Sequence, residues 1–125
     1  MTQGANQGIA VTAQAFIEPD DEVILIEPFF DIYKPAVEVV GGVVRTVPLR
    51  NKRAFDEVIS ANEWTLDIAE LESKITPATK AIMLNNPHNP TGKLFTRLEL
   101  EQIAVVAIKH NLLVFSDEVV RFGSQ

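Results

Sequence analysis

The chain has 125 residues, 46% hydrophobic and 22% charged, with a formal net charge of −6, two histidines and no cysteine. This is one domain's worth of soluble globular sequence, and its acidity argues against a nucleic-acid or anionic-membrane surface, since Lys and Arg occur singly rather than in a stripe. The missing cysteines exclude a disulfide framework and a thiolate site, and two histidines outside any His/Cys cluster argue against structural zinc. No apolar run is long enough to span a bilayer, and the amino terminus lacks a charged-then-apolar signal pattern. The compartment expected is a reducing one, the cytoplasm, or the mitochondrion if a transit peptide precedes these residues.

Gly4-Ala5-Asn6-Gln7-Gly8 reads as a Gly-rich turn opening a buried helix, along which Ile9, Ala13, Phe16 and Ile17 recur at helical spacing. Backbone N–H groups at such an amino end form an anion site, typically for phosphate, although the same glycines serve equally as a flexible helix start. No strand precedes them, so a dinucleotide fingerprint does not fit.

After a turn at Glu18-Pro19-Asp20-Asp21, Glu22 to Glu27 is a buried-type strand that breaks at Pro28-Phe29-Phe30-Asp31. The adjacent aromatics are either core or a face for a flat ligand. A helix follows, with Pro35 tolerated in its first turn, Val37 and Val40 inward and Gly41-Gly42 as its stop. Val43 to Leu49 is a strand, and Arg50 to Trp64 an irregular surface connection. Asp67 caps the next helix, Glu70 completes a capping box, Leu66 staples to Leu71, and Ile68, Leu71 and Ile75 face inward until Thr76-Pro77.

Lys80 to Leu84 forms a strand whose run Ala81-Ile82-Met83-Leu84 suits burial on both faces. It stops at Asn85-Asn86-Pro87-His88-Asn89-Pro90-Thr91-Gly92, where two X-Pro pairs forbid helix and hold the backbone extended or turned. Asn85 and Asn89 are thereby presented at the carboxyl end of a strand, where open α/β sheets place ligands; a plain strand-to-helix turn is the alternative. Thr96 and Glu99 form a capping box for a helix with Leu100, Ile103, Ala104, Ala107 and Ile108 as its apolar stripe and Asn111 at its end. Leu112 to Ser116 is a fourth strand, which puts Asp117 at the same sheet edge as Asn89 and Phe30. A carboxylate there needs a partner, unless it only caps a following helix. The expected fold is α/β in three layers: four strands in a mainly parallel sheet with helices on both faces.

In order and spacing, Gly4-Ala5-Asn6, the Glu27-Pro28-Phe29-Phe30-Asp31-x-Tyr33 run, Asn85 to Lys93 and Ser116-Asp117-Glu118-Val119 resemble one family. It is the pyridoxal-phosphate-dependent class I/II aminotransferases of fold type I. Within it, the Phe-Phe run and Trp64-Thr65-Leu66-Asp67 are similar to the kynurenine aminotransferase/cysteine-conjugate β-lyase group. The resemblance implies transfer of an amino group from an amino acid to a 2-oxo acid through pyridoxal 5′-phosphate, with β-elimination from cysteine conjugates as the alternative and a homodimer as the assembly. It gives Asp117 the cofactor's pyridine nitrogen, Asn89 its phenolic oxygen and the substrate, and Phe30 the ring face. Gly4, Ala5 and Asn6 take the phosphate, and Asn85 is a neighbouring cofactor contact.

Two departures stand against the family pattern. Val120 occupies the place of a tyrosine that helps bind the phenolic oxygen. All six lysines (34, 52, 74, 80, 93 and 109) precede Asp117, whereas the family's Schiff-base lysine follows it. The resemblance therefore implies part of a large, cofactor-binding domain, without the small domain or that lysine, and inactive by itself. A non-catalytic truncated product is the rival reading. A nucleotide-binding domain of another kind is a weaker one, because no phosphate-loop lysine motif is present.

Overall fold

The computed structural model describes residues 3–51 and 60–119. In chain order these form α1 (Ala5–Phe16), β1 (Glu22–Glu27), α2 (Tyr33–Glu38), β2 (Val43–Arg50), a 3-10 turn (Ala61–Glu63), β3 (Thr65–Leu66), α3 (Ile68–Ser73), β4 (Thr79–Asn85), α4 (Arg97–Lys109) and β5 (Leu113–Asp117). The sheet order is β3-β2-β1-β4-β5. All pairings are parallel except the short antiparallel contact of β2 with β3. That two-residue strand is a fifth one, which the apolar pattern does not announce. It directly follows the expected irregular connection of Arg50 to Trp64, of which residues 52–59 lie outside the described part.

β1 and β4 are apolar without alternation because both their faces are covered. The alternation survives in where each side chain goes. Ile24, Ile26, Ile82 and Leu84 join Leu71 and Ile103, from α3 and α4, on one side. Val23, Leu25, Ala81 and Met83 join Ile9 and Val37, from α1 and α2, on the other. Helices therefore cover both faces, giving the three layers. Gly42 closes α2 onto α1, since a Cβ there would lie 2.8 Å from both Ile17 and Val37 side-chain atoms.

Four local expectations need correction. The opening turn is confined to Gly4 (φ 99°), and Ala5 to Gly8 already belong to α1. Asp67 caps α3 by accepting from the Ala69 and Glu70 amides, but the Glu70 carboxylate pairs with Arg50 at 2.9 Å instead of closing a capping box. The buried line of α4 is Ile103, Val106 and Ala107, while Ala104 is exposed and Ile108 is 80% exposed. A one-residue rotation about the helix axis separates these lines, and periodicity alone does not choose between two apolar edges of a wide stripe. Phe16 is likewise half-exposed rather than inward, and its ring lies 6.1 Å from that of Phe115.

Other local readings hold. Thr96 and Glu99 form the capping box of α4, and Asn111 leaves that helix with φ 53°. Among the described residues no helix is long and apolar enough to cross a membrane.

Candidate active site

The carboxyl ends of β1, β4 and β5 lie on one edge of the sheet, because parallel neighbours end together. Asn85 and Asp117 are partners in the last rung of the β4–β5 ladder. A cavity of about 210 Å³ opens there, lined by Ala5, Asn6, Phe30, Asn85, Asn89 and Asp117, with Tyr33 and Val119 completing the wall. The structure thus gathers six residues singled out in the sequence from four separate segments. Gly4 precedes the helix and is not among the lining residues, and Val120 lies outside the described residues.

Asp117 is held at both oxygens. The Tyr33 hydroxyl donates to Oδ2 over 2.6 Å, and the Val119 amide donates to Oδ1 over 3.1 Å. Burial, and then the adjacent carboxylate, push the Tyr33 hydroxyl far above its ordinary range, so it stays protonated and remains the donor. Tyr33 also meets Phe30 edge-on, with ring centroids 6.0 Å apart. Tyr33 is the site residue that the sequence reading missed, although its signal was present: it stands three residues after Phe30, in the same aromatic run.

The Asn85–Gly92 loop is fixed from within. The buried Asn85 side chain donates to the Asp117 carbonyl (3.0 Å) and accepts from the Asn89 amide (2.6 Å), which makes it a tie between loop and strand. Asn86 donates its backbone N–H to the same carbonyl, and its side chain accepts from the Phe95 amide. Buried His88 pairs with the Thr91 hydroxyl at 2.8 Å. Buried Lys93 reaches Glu99 at 2.8 Å and lies over the Phe95 ring, anchoring the far end of the loop to α4. What remains free is the Asn89 side chain, exposed at the cavity and without a hydrogen-bond partner among the described residues.

At the third wall, α1 begins with no side-chain cap and no acidic residue in its first turn, so its first N–H groups are available to an anion. Carboxylate, free amide, aromatic face and helix amino end therefore surround one small space. Among the described residues, no lysine lines it.

Residues 1–120 match the family described as aminotransferase class I and II. Human kynurenine–oxoglutarate transaminase 3 is 49% identical over 119 residues, which is 95% of this chain and 26% of that protein. The crystal structure of Bna3p from Saccharomyces cerevisiae is similar with a TM-score of 0.90 at 44% identity, covering 94% of this chain and 28% of that one. Cystalysin from Treponema denticola, described as containing a pyridoxal 5′-phosphate cofactor, is similar with a TM-score of 0.83 at 26% identity over 94% of this chain and 28% of its own. The chain thus spans about a quarter of the length of these relatives.

Proposed function

The chain belongs to the class I and II aminotransferases, and from that premise we propose that residues 1–125 form part of the large domain of an enzyme that transfers an amino group from an amino acid to a 2-oxo acid with pyridoxal phosphate as cofactor. The observation that carries this reading is the single cavity holding Asp117, Asn89, Phe30 and the uncapped start of α1. Its donor and acceptor chemistry fits a flat, anionic pyridine ring. An acid group for a ring nitrogen, an amide for a ring oxygen, an aromatic face and backbone donors for a phosphate are all within its walls.

When bound, pyridoxal phosphate supplies an electron sink for the substrate's α-carbon bonds, provided that its ring nitrogen carries a proton. Asp117 supports that state by holding a negative charge where the nitrogen would lie. Asn89, whose side chain has no hydrogen-bond partner among the described residues, would offer its amide to the ring oxygen and face the substrate. Phe30 would pack on the ring face and Ala5 and Asn6 would present the amino end of α1 to the phosphate, while Asn85 holds the Asn89 backbone in place. Among the described residues no lysine lines the cavity, so these groups would bind and orient the cofactor by non-covalent contact.

Kynurenine is the proposed amino donor and 2-oxoglutarate the proposed acceptor, in line with the name of the human relative, kynurenine–oxoglutarate transaminase 3. A homodimer is the proposed assembly, and the cytoplasm the proposed compartment, which the cysteine-free composition suits. The test is a transfer assay from kynurenine to 2-oxoglutarate by the enzyme carrying this sequence, with equilibrium binding of pyridoxal phosphate to the 125-residue chain beside it. Saturable binding and cofactor-dependent transfer are expected; the absence of both overturns the reading.

A further inference from the structure

We propose that Tyr33 is a positioning residue for Asp117: its hydroxyl sets how that carboxylate faces the cavity and so how strongly the cofactor's ring nitrogen is held. This rests on the cofactor reading above and adds a residue to it.

Tyr33 is 2% exposed, and its ring packs in the cluster that holds Val23 and Val37. A phenylalanine would satisfy that packing. The hydroxyl is the part that packing does not explain, and it makes a 2.6 Å bond to Oδ2 of Asp117. A hydrogen bond to an ionised acceptor is among the stronger kinds and has a directional preference. Together with the Val119 amide on Oδ1, it restrains both oxygens of the carboxylate. An ionised carboxylate accepts about four hydrogen bonds, so two held sites leave acceptor capacity for a donor entering from the cavity. Because Tyr33 keeps its proton, the donor does not reverse its role. The same residue braces Phe30 edge-on, so one side chain orients two walls of the cavity.

Tyr33 is the single tyrosine of the chain, so biosynthetic fluorotyrosine labels it alone. Fluorine NMR of the labelled full chain should show one resonance. Without ligand, Asp117→Asn should move it; an unmoved resonance means that the hydroxyl does not bind Asp117 and overturns the inference. On titration with pyridoxal phosphate, the resonance should shift saturably. Tyr33→Phe should bind the cofactor about five- to tenfold more weakly, the scale of one lost hydrogen bond. The isotope-labelled ring nitrogen of the bound cofactor should resonate differently in the variant. Difluorotyrosine at position 33 keeps the shape and strengthens the donor, so it should move the ring-nitrogen signal away from the Phe value, and it serves as the deciding variant if Tyr33→Phe does not fold. Equal affinity and an identical ring-nitrogen signal across these forms overturn the inference alone. No binding by the unsubstituted chain overturns the cofactor reading, and the inference with it.

Discussion

Asn85 and Asp117 face each other across the last rung of the β4–β5 ladder, and the Asn85 amide donates to the Asp117 backbone carbonyl over 3.0 Å. The same side chain accepts the Asn89 N–H, so the strand that carries the carboxylate and the loop that carries the free amide share one tie. Asn85→Ala should cost about 1–3 kcal/mol, the scale of removing one side of two hydrogen bonds and leaving the Asn89 N–H unpaired, while the Asp117 carbonyl keeps the Asn86 N–H. Asn85→Asp should cost more, because it keeps the acceptor, removes the donor and places a charge beside Asp117. Denaturant melts of the two variants check this, and wild-type stability in Asn85→Ala would reduce the tie to a bystander.

Asp117→Asn keeps the shape of the side chain and removes its charge. Transfer by the enzyme should fall by on the order of a hundredfold or more, the scale of losing one preorganised electrostatic contact, while the cofactor still binds more weakly. Turnover close to that of the unsubstituted enzyme would take Asp117 out of the reaction.

The lysines give a chemical check on the cavity. Lys93 is buried against Glu99, and none of the described lysines lines the site. The 125-residue chain should therefore bind pyridoxal phosphate without a covalent anchor and transfer no amino group. Borohydride reduction followed by peptide mapping should find scattered, substoichiometric labelling. One lysine labelled stoichiometrically, with amino transfer, would contradict the non-covalent reading.

Acid should loosen the fold in two stages. Burial first, and the nearby Lys93 cation next, lower the His88 pKa below 6.5 despite the Ile26 carbonyl. As pH falls below 6.5, the unfolded chain takes up a proton that the folded histidine refuses, so stability declines. Glu22 is held below its ordinary 4.5 first by Arg45 at 2.6 Å and then by the Thr76 hydroxyl, against the opposing effect of burial. Its contribution is present above 4.5 and is lost as pH falls through the lower folded value. Stability against pH for His88→Gln should lack the first decline. The deficit of Glu22→Gln should be largest near neutrality and shrink in strong acid.

Two isoleucines of α4 should behave differently although they lie five positions apart. Ile103 is 1% exposed in the core, and its replacement by Ala should cost about 2–5 kcal/mol. Ile108 is 80% exposed, and Ile108→Ala should stay within about 0.5 kcal/mol of the unsubstituted chain. A large loss in Ile108→Ala would show that the helix is rotated back to the line suggested by periodicity.

Most strands, the helix that begins at Thr96 and the loop at Asn85 were legible because their signals are local. Unbroken apolar runs, a capping box and X-Pro pairs restrict the backbone wherever the rest of the chain lies. The two-residue β3 was not legible, since so short a strand exists only through its partner β2. Nor was the destination of Glu70, which an arginine 20 positions away draws off the helix it could have capped.

Composition and motif order by themselves determined the α/β class, the carboxyl-edge position of Asn89, Phe30 and Asp117, and the family resemblance. Only the tertiary structure decided how those groups are held: Tyr33, 84 residues from Asp117 in sequence, donates to it, and Asn85 ties it to Asn89. The reason is physical. Backbone preferences act over a few residues and survive in the sequence, whereas the partner of a buried polar group is chosen by whatever the folded sheet brings within about 3 Å, and that choice leaves no local trace.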